Sequence, residues 1–177
     1  MKTKILLIIT LLVCILAPSC VKEQLEVTYN KQEDQIDQYI SKNDTIKVVR
    51  NSGSNRLIFK EGVGEGLKKD GYVSFYYAGY TFNGSFNKSS LFSTNKLEVA
   101  AELGWDTEKS EFNLYEICLQ DADLIPGLKN GLEGVKAGEE CEILFSAKYG
   151  FGNKALGTIP AKTALLYKIW VVGVTND

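Results

Sequence analysis

The sequence predicts an α+β fold, in which an antiparallel sheet in a half-barrel arrangement covers one short helix and is preceded by a helical extension. Three observations carry that reading. Val73, Phe75 and Tyr77 alternate with Ser74 and Tyr76; Cys141, Ile143 and Phe145 with Glu142, Leu144 and Ser146; and Leu165, Tyr167, Ile169 and Val171 with Leu166, Lys168 and Trp170. Period two in separate segments marks an antiparallel sheet with one buried face. Before the second of these segments, Leu124, Ile125, Leu128 and Leu132 fall on one helical face, and Gly138 is placed to end that helix. Near the N-terminus, Ile36, Tyr39 and Ile40 stand at i, i+3 and i+4, which predicts a short amphipathic helix over residues 30–42 whose apolar stripe packs on the main domain.

The elements follow in order. Two lysines and an apolar run over residues 5–17 open the chain. The run is shorter than the roughly 20 residues a spanning helix needs, so residues 1–19 read as an export signal. Two exits fit: Ala17-Pro18-Ser19 suits ordinary signal cleavage, and the segment also resembles a bacterial lipoprotein box, although Leu16 is one place too far from Cys20 and Pro18 intrudes. Lipidation of Cys20 is favoured, because an unpaired thiol at a mature N-terminus is a liability outside the cytoplasm. It would anchor the chain to a membrane without a spanning segment, in the periplasm or at the outer membrane or cell surface. Residues 20–54 then read as a tether with an accessory helix and strand. TIKVVR and RLIFKEG form two strands around the turn-rich NSGSN. Residues 55–177 form the main domain, with a further strand at 111–119. An insertion at about 95–110 has Leu97, Ala100, Ala101 and Leu103 spaced for a helical turn or two; it reads as a lid near a groove, with Trp105 packing beside it.

Composition narrows the chemistry. The 177 residues allow one domain with an appendage. They include no histidine, which removes Ser-His-Asp and Cys-His catalysis and His-ligated zinc. The formal net charge of −2 becomes −4, 18 basic against 22 acidic residues, once Lys2 and Lys4 leave with the signal. An acidic chain without a basic cluster is not built for nucleic acid. No metal or cofactor site is expected: Glu139, Glu140 and Glu142 read as a solvated strand entry, and Gly62-Val63-Gly64-Glu65-Gly66 leads into a strand and so is no dinucleotide loop. Cys118 and Cys141 lie in apolar runs without CxxC spacing; they read as buried small hydrophobes, and the sequence leaves a disulfide between them open.

Three segments in order, GVGEGLKKDGYVSFYYAG, IPGLKNGLEGVKAGEECEILFSAKYGFG and GTIPAKTALLYKIWVVGV, resemble the FKBP-type peptidyl-prolyl cis/trans isomerases. The resemblance implies a strongly bent sheet around the helix, with an apolar cleft that receives a proline side chain of a polypeptide client. Carried over by position, it implies that Tyr77, Phe92, Phe151, Ile159 and Tyr167 form the catalytic lining. Tyr115, Leu124, Ile125 and Leu128 bind substrate beside them, with the Ile159 N–H donating to the substrate carbonyl. The chain departs from the family pattern at three places. Leu128 replaces the usual tryptophan of the cleft floor, and Phe151 replaces a tyrosine. The F-D-S segment, whose aspartate is the cleft's polar group, aligns either with Phe86-Asn87 or, preferably, with Phe92-Ser93-Thr94-Asn95, and neither offers a carboxylate. The resemblance therefore implies an attenuated isomerase, with a non-catalytic peptide-binding or chaperone module as the alternative.

Overall fold

The computed structural model describes residues 2–108 and 111–176, with side chains from residue 22 onward. The signal and Cys20 expectations thus lie outside the described side chains, and Lys109 and Ser110 of the insertion are outside altogether. The elements are α1 (Lys2–Ser41), β1 (Lys47–Asn51), β2 (Ser54–Lys60), β3 (Tyr72–Phe82), β4 (Leu91–Thr94), α2 (Leu97–Glu102), β5 (Tyr115–Cys118), α3 (Pro126–Leu132), β6 (Glu140–Phe145) and β7 (Ala164–Thr175). Among the described residues, seven strands form one antiparallel sheet in the order β1-β2-β6-β7-β3-β4, with β5 sharing the outer edge of β3 with β4. Among the same residues no helix is long and apolar enough to cross a membrane.

The sheet is buried on two sides, which the period-two pattern does not anticipate. On the concave side Phe75, Ile143, Phe145, Leu165 and Ile169 pack against Leu128 and Leu132 of α3. On the convex side Leu57, Tyr80, Phe82, Leu144 and Leu166 pack under α1, where Ile36 is completely buried. Residues predicted to face solvent, such as Leu144 and Leu166, are therefore core, because a strand covered on both faces has no polar side to show. The contacts of α1 form one stripe at helical spacing, from Tyr29 and Gln32 to Ile36 and Tyr39.

α3 is shorter than its apolar face suggests. Pro126 occupies its first turn, Ile125 is its extended N-cap and Glu133 its C-cap, so Leu124 and Ile125 precede the helix and Gly138 lies beyond it. Gly138, at φ +78°, instead serves the turn into β6. Gly127 and Gly131 let the helix rest directly on the sheet: a Cβ at either would come within 2.2 Å of Phe145 or Ile143.

The carboxylates before and within β6 are not a solvated entry. Glu139 is 1% exposed and pairs at 3.2 Å with Arg56, whose Nη1 also donates to the Gly131 and Glu133 carbonyls at 2.8 and 2.7 Å. Glu142 is also buried, accepting from the Tyr39 hydroxyl at 2.8 Å with Lys168 at 3.3 Å; Glu140 alone of the three is at the surface, against Lys60. Cys118 and Cys141 are free thiols, and burial, reinforced by Glu139, pushes the Cys141 pKa well up.

Candidate functional site

Between the concave face and α3 lies a cleft of about 480 Å³. β3 contributes Tyr77, β4 Phe92, β5 Tyr115 and β7 Tyr167. The approach to α3 contributes Leu124 and Ile125, α3 itself Leu128, and the two loops between β6 and β7 contribute Phe151 and Ile159. All nine residues named for the cleft from sequence thus line one hollow, although they come from stretches up to ninety residues apart.

Ring packing fixes the shape. Tyr167 stands at the centre, stacked on Phe145 at 5.9 Å and 17° and met edge-on by Phe92 at 5.8 Å and 83°. Tyr77 lies 6.2 Å from Tyr167 and 6.3 Å from Tyr115, and Tyr115 in turn meets Phe75 edge-on at 5.5 Å. Such tilted and edge-to-face arrangements are the favourable ones for aromatic pairs. Gly79 makes room for this wall, since a Cβ there would lie 2.7 Å from Phe92 and 3.0 Å from Tyr167. Burial, with Tyr77 nearby, raises the Tyr167 pKa well above the ordinary phenol, so this hydroxyl stays protonated throughout the physiological range.

Polar groups are few and placed. The Tyr77 and Ser93 hydroxyls are 3.0 Å apart, and Ser93 occupies the position after Phe92 where the resemblance leads one to expect an aspartate. Phe86, the other candidate for that segment, lies away from the cleft, against Tyr80 and the Lys168 ammonium. Asn95 supports the wall from behind: its Oδ1 accepts from the Tyr77 amide at 2.6 Å, and its Nδ2 donates to the Asn113 carbonyl at 2.9 Å. No described residue between 95 and 108 lines the cleft, and Trp105 is 38% exposed outside it. The described part of the insertion therefore stands outside the cleft, and Asn95 makes it a brace for the wall.

The amide expectation also changes. Ile159 N–H donates to the Leu156 carbonyl at 2.9 Å and Leu156 N–H returns the bond at 3.0 Å, closing a tight turn over Gly157-Thr158. That donor is spent. Among the described residues, the Ile125 N–H has no protein acceptor, and it sits at the cleft just ahead of α3. Sequence reasoning also missed Phe75, Leu156, Gly157 and Thr158 as lining, together with Asp123, an exposed carboxylate at the rim. Asp123 carried a signal, since it directly precedes the Leu124-Ile125 pair.

Comparison with known proteins agrees with this geometry. The sequence model of the family described as FKBP-type peptidyl-prolyl cis-trans isomerase matches residues 63–172. The FKBP-type peptidyl-prolyl cis-trans isomerase FkpA of Buchnera aphidicola is 24% identical over 157 residues, covering 88% of this chain and 57% of that protein. The peptidyl-prolyl cis-trans isomerase FKBP9 of Mus musculus is 28% identical over 97 residues, covering 55% of this chain and 15% of that protein. The chain therefore spans less than two thirds of either relative. Among solved structures, FkpA from Escherichia coli has a TM-score of 0.55 at 20% identity, covering 95% of this chain and 71% of that one. The N-terminal domain of FKBP42 from Arabidopsis thaliana has a TM-score of 0.55 at 18% identity, covering 73% of this chain and 93% of that one. These likenesses bear on the fold alone. The matched span contains every residue of the cleft and leaves α1 outside, and with it the chain belongs to the FKBP-type peptidyl-prolyl cis-trans isomerase family.

Proposed function

We propose that this chain catalyses cis/trans isomerisation at X–Pro bonds of exported polypeptides, at a reduced rate, while anchored to a membrane through lipidated Cys20. The observation that carries the catalytic reading is the cleft itself, floored by Leu128, walled by Tyr77, Phe92 and Tyr167, and edged by an unpartnered Ile125 amide. The X–Pro bond rotates over a barrier of about 18–20 kcal/mol and takes tens to hundreds of seconds unaided. Rotation reduces conjugation between the prolyl nitrogen and its carbonyl, and the twisted amide is less polar than the planar one. A water-poor apolar hollow favours that twisted state, while the Ile125 N–H holds a neighbouring carbonyl in place. No nucleophile, metal or proton transfer is needed, so a chain without histidine loses nothing. Each 1.36 kcal/mol of preference for the twisted state gives about tenfold in rate.

The attenuation rests on three replacements. Phe151 lacks a hydroxyl, which costs about 0.5–1.5 kcal/mol if that group would bond the substrate. Leu128 is smaller than an indole, and Ser93 provides a neutral partner to Tyr77 where a carboxylate is expected. The same replacements favour a second reading, a peptide-holding module that keeps the groove without accelerating rotation.

Chymotrypsin-coupled isomerisation of short X–Pro peptides by the full chain in detergent, against a Tyr77→Ala, Tyr167→Ala double variant, separates the readings. Acceleration by the wild type alone supports the enzyme. Equal rates for both, indistinguishable from buffer, discard it, and suppression of client aggregation by that inactive chain would establish the holding module. Mass spectrometry of the N-terminal peptide tests the anchor, which a free Cys20 amine and thiol would remove.

A further inference from the structure

The two loops that carry Phe151 and Ile159 are tied to each other and to a residue far outside the cleft. The first is built around Ala147, fully buried, whose carbonyl accepts from the Gly150 and Gly152 amides at 3.1 and 2.8 Å. The second returns to the first through Lys162, whose amide donates to the Gly152 carbonyl at 2.8 Å. Lys162 is one of two non-glycine residues at positive φ among the described residues, here +57°, a conformation that needs support from its surroundings. That support comes from α1. The Gln32 carboxamide accepts from the Ala147 amide through Oε1 at 2.9 Å and donates through Nε2 to the Lys162 carbonyl at 2.7 Å.

We propose that Gln32 is a positioning residue for the cleft: its buried carboxamide clamps the two loops so that Phe151 and Ile159 face the bound proline together. The inference rests on the isomerase reading for its kinetic consequence and on geometry alone for the clamp. Gln32 is only 9% exposed, so water does not substitute readily for either bond. A primary amide suits the task because it offers one acceptor and one donor in a fixed plane, matching one N–H and one C=O. Neighbouring contacts run the same way. Glu26 pairs with Lys148 at 3.4 Å, and the Tyr29 hydroxyl lies 3.9 Å from where a Gly152 Cβ would be. One side of α1 therefore covers the back of the loop pair, while Ile36, one turn further on, packs only in the convex core.

The test compares Gln32→Ala, Gln32→Glu and Ile36→Ala in the full chain. Ile36→Ala loosens the same helix without touching the loops, so it controls for a stability effect. The first measurement is amide hydrogen exchange. For Gln32→Ala, Ala147, Gly152 and Lys162 exchange at least about tenfold faster than in the wild type, the size expected when a buried hydrogen-bonding group loses its partner; in Ile36→Ala the same amides are unchanged relative to the rest of the domain. The second is the split between KM and kcat for an X–Pro peptide: Gln32→Ala raises KM about tenfold with kcat within twofold, and Gln32→Glu, which keeps the acceptor for Ala147, recovers part of the loss. Unchanged exchange over residues 147–162 in Gln32→Ala overturns the clamp, as does an equal KM shift in Ile36→Ala. A wild type without isomerase activity removes the kinetic arm and the isomerase reading with it, and the exchange comparison then decides the clamp by itself.

Discussion

The Tyr77 and Ser93 hydroxyls face each other at 3.0 Å inside the cleft, a neutral pair at the junction of β3 and β4. One hydroxyl donates to the other, and the backbone around them is pinned by Thr94, whose Oγ1 donates to the Tyr77 carbonyl at 2.6 Å. Ser93→Ala leaves the Tyr77 hydroxyl half-buried without its partner. The expected cost is about 1 kcal/mol, or several-fold in kcat/KM, if that hydroxyl orients the wall. Coupled isomerisation and thermal unfolding of the variant read both effects.

Gly127→Ala should be among the most damaging small changes. Its Cβ would fall 2.2 Å from the Phe145 ring, and that ring is stacked on Tyr167. Neither can yield without moving α3 away from the sheet, so a loss of about 1–3 kcal/mol is expected from overpacking. Denaturant titration measures it, and loss of peptide affinity at a temperature where the variant remains folded shows that the cleft has opened.

Ile36→Ala should destabilise the protein by about 2–5 kcal/mol, as expected for a fully buried aliphatic side chain. The position lies outside the span matched by the family's sequence model. A shift below about 1 kcal/mol in denaturant midpoint analysis would mean that α1 detaches easily and that the convex core is not cooperative with the rest.

Asp123 is the only charged residue among the described lining of the cleft. Its turn is held by Lys129, which spends its ammonium on the Gln120 and Ala122 carbonyls at 2.7 and 3.5 Å rather than on the carboxylate. Peptides with Lys before proline should be processed about two- to fivefold better than those with Glu, the scale of an exposed ion pair. Asp123→Lys should invert the ratio, and added salt should flatten it.

Glu139 gives a pH signature. Burial raises its pKa above the ordinary 4.5, with Arg56 the strongest opposing influence and Glu61 a weak reinforcing one. A raised carboxylate pKa means that the folded protein holds the proton more tightly than the unfolded chain. The stability this contributes is complete below the ordinary value and is lost as pH rises through the folded one. Relative to Glu139→Gln, the wild type should therefore lose stability as pH rises above the ordinary carboxylate value of 4.5, measured by unfolding at each pH. Glu139→Ala at neutral pH should cost about 3–5 kcal/mol, since it leaves Arg56 buried without its counter-charge.

Much of the concave side was legible. Strands β3, β6 and β7 follow from period two, and the nine cleft residues follow from motif resemblance, because both signals are local in sequence. The convex side was not, because whether Leu144 and Leu166 meet solvent is decided by a helix more than 100 residues earlier. The same long-range packing misled the reading of Glu139 and Glu142, whose counter-charge and hydroxyl donor come from Arg56 on β2 and Tyr39 on α1. The Ile159 amide was assigned to substrate because sequence does not show a turn closing on itself, as Leu156 and Ile159 do. Gln32 went unnoticed since a lone glutamine within an amphipathic helix looks like solvated surface until its two partners are seen.

The free state of Cys118 and Cys141 has a practical corollary. Among the described residues the fold closes by packing, with no disulfide to hold it. Reductant should therefore leave the melting curve of this domain where it was.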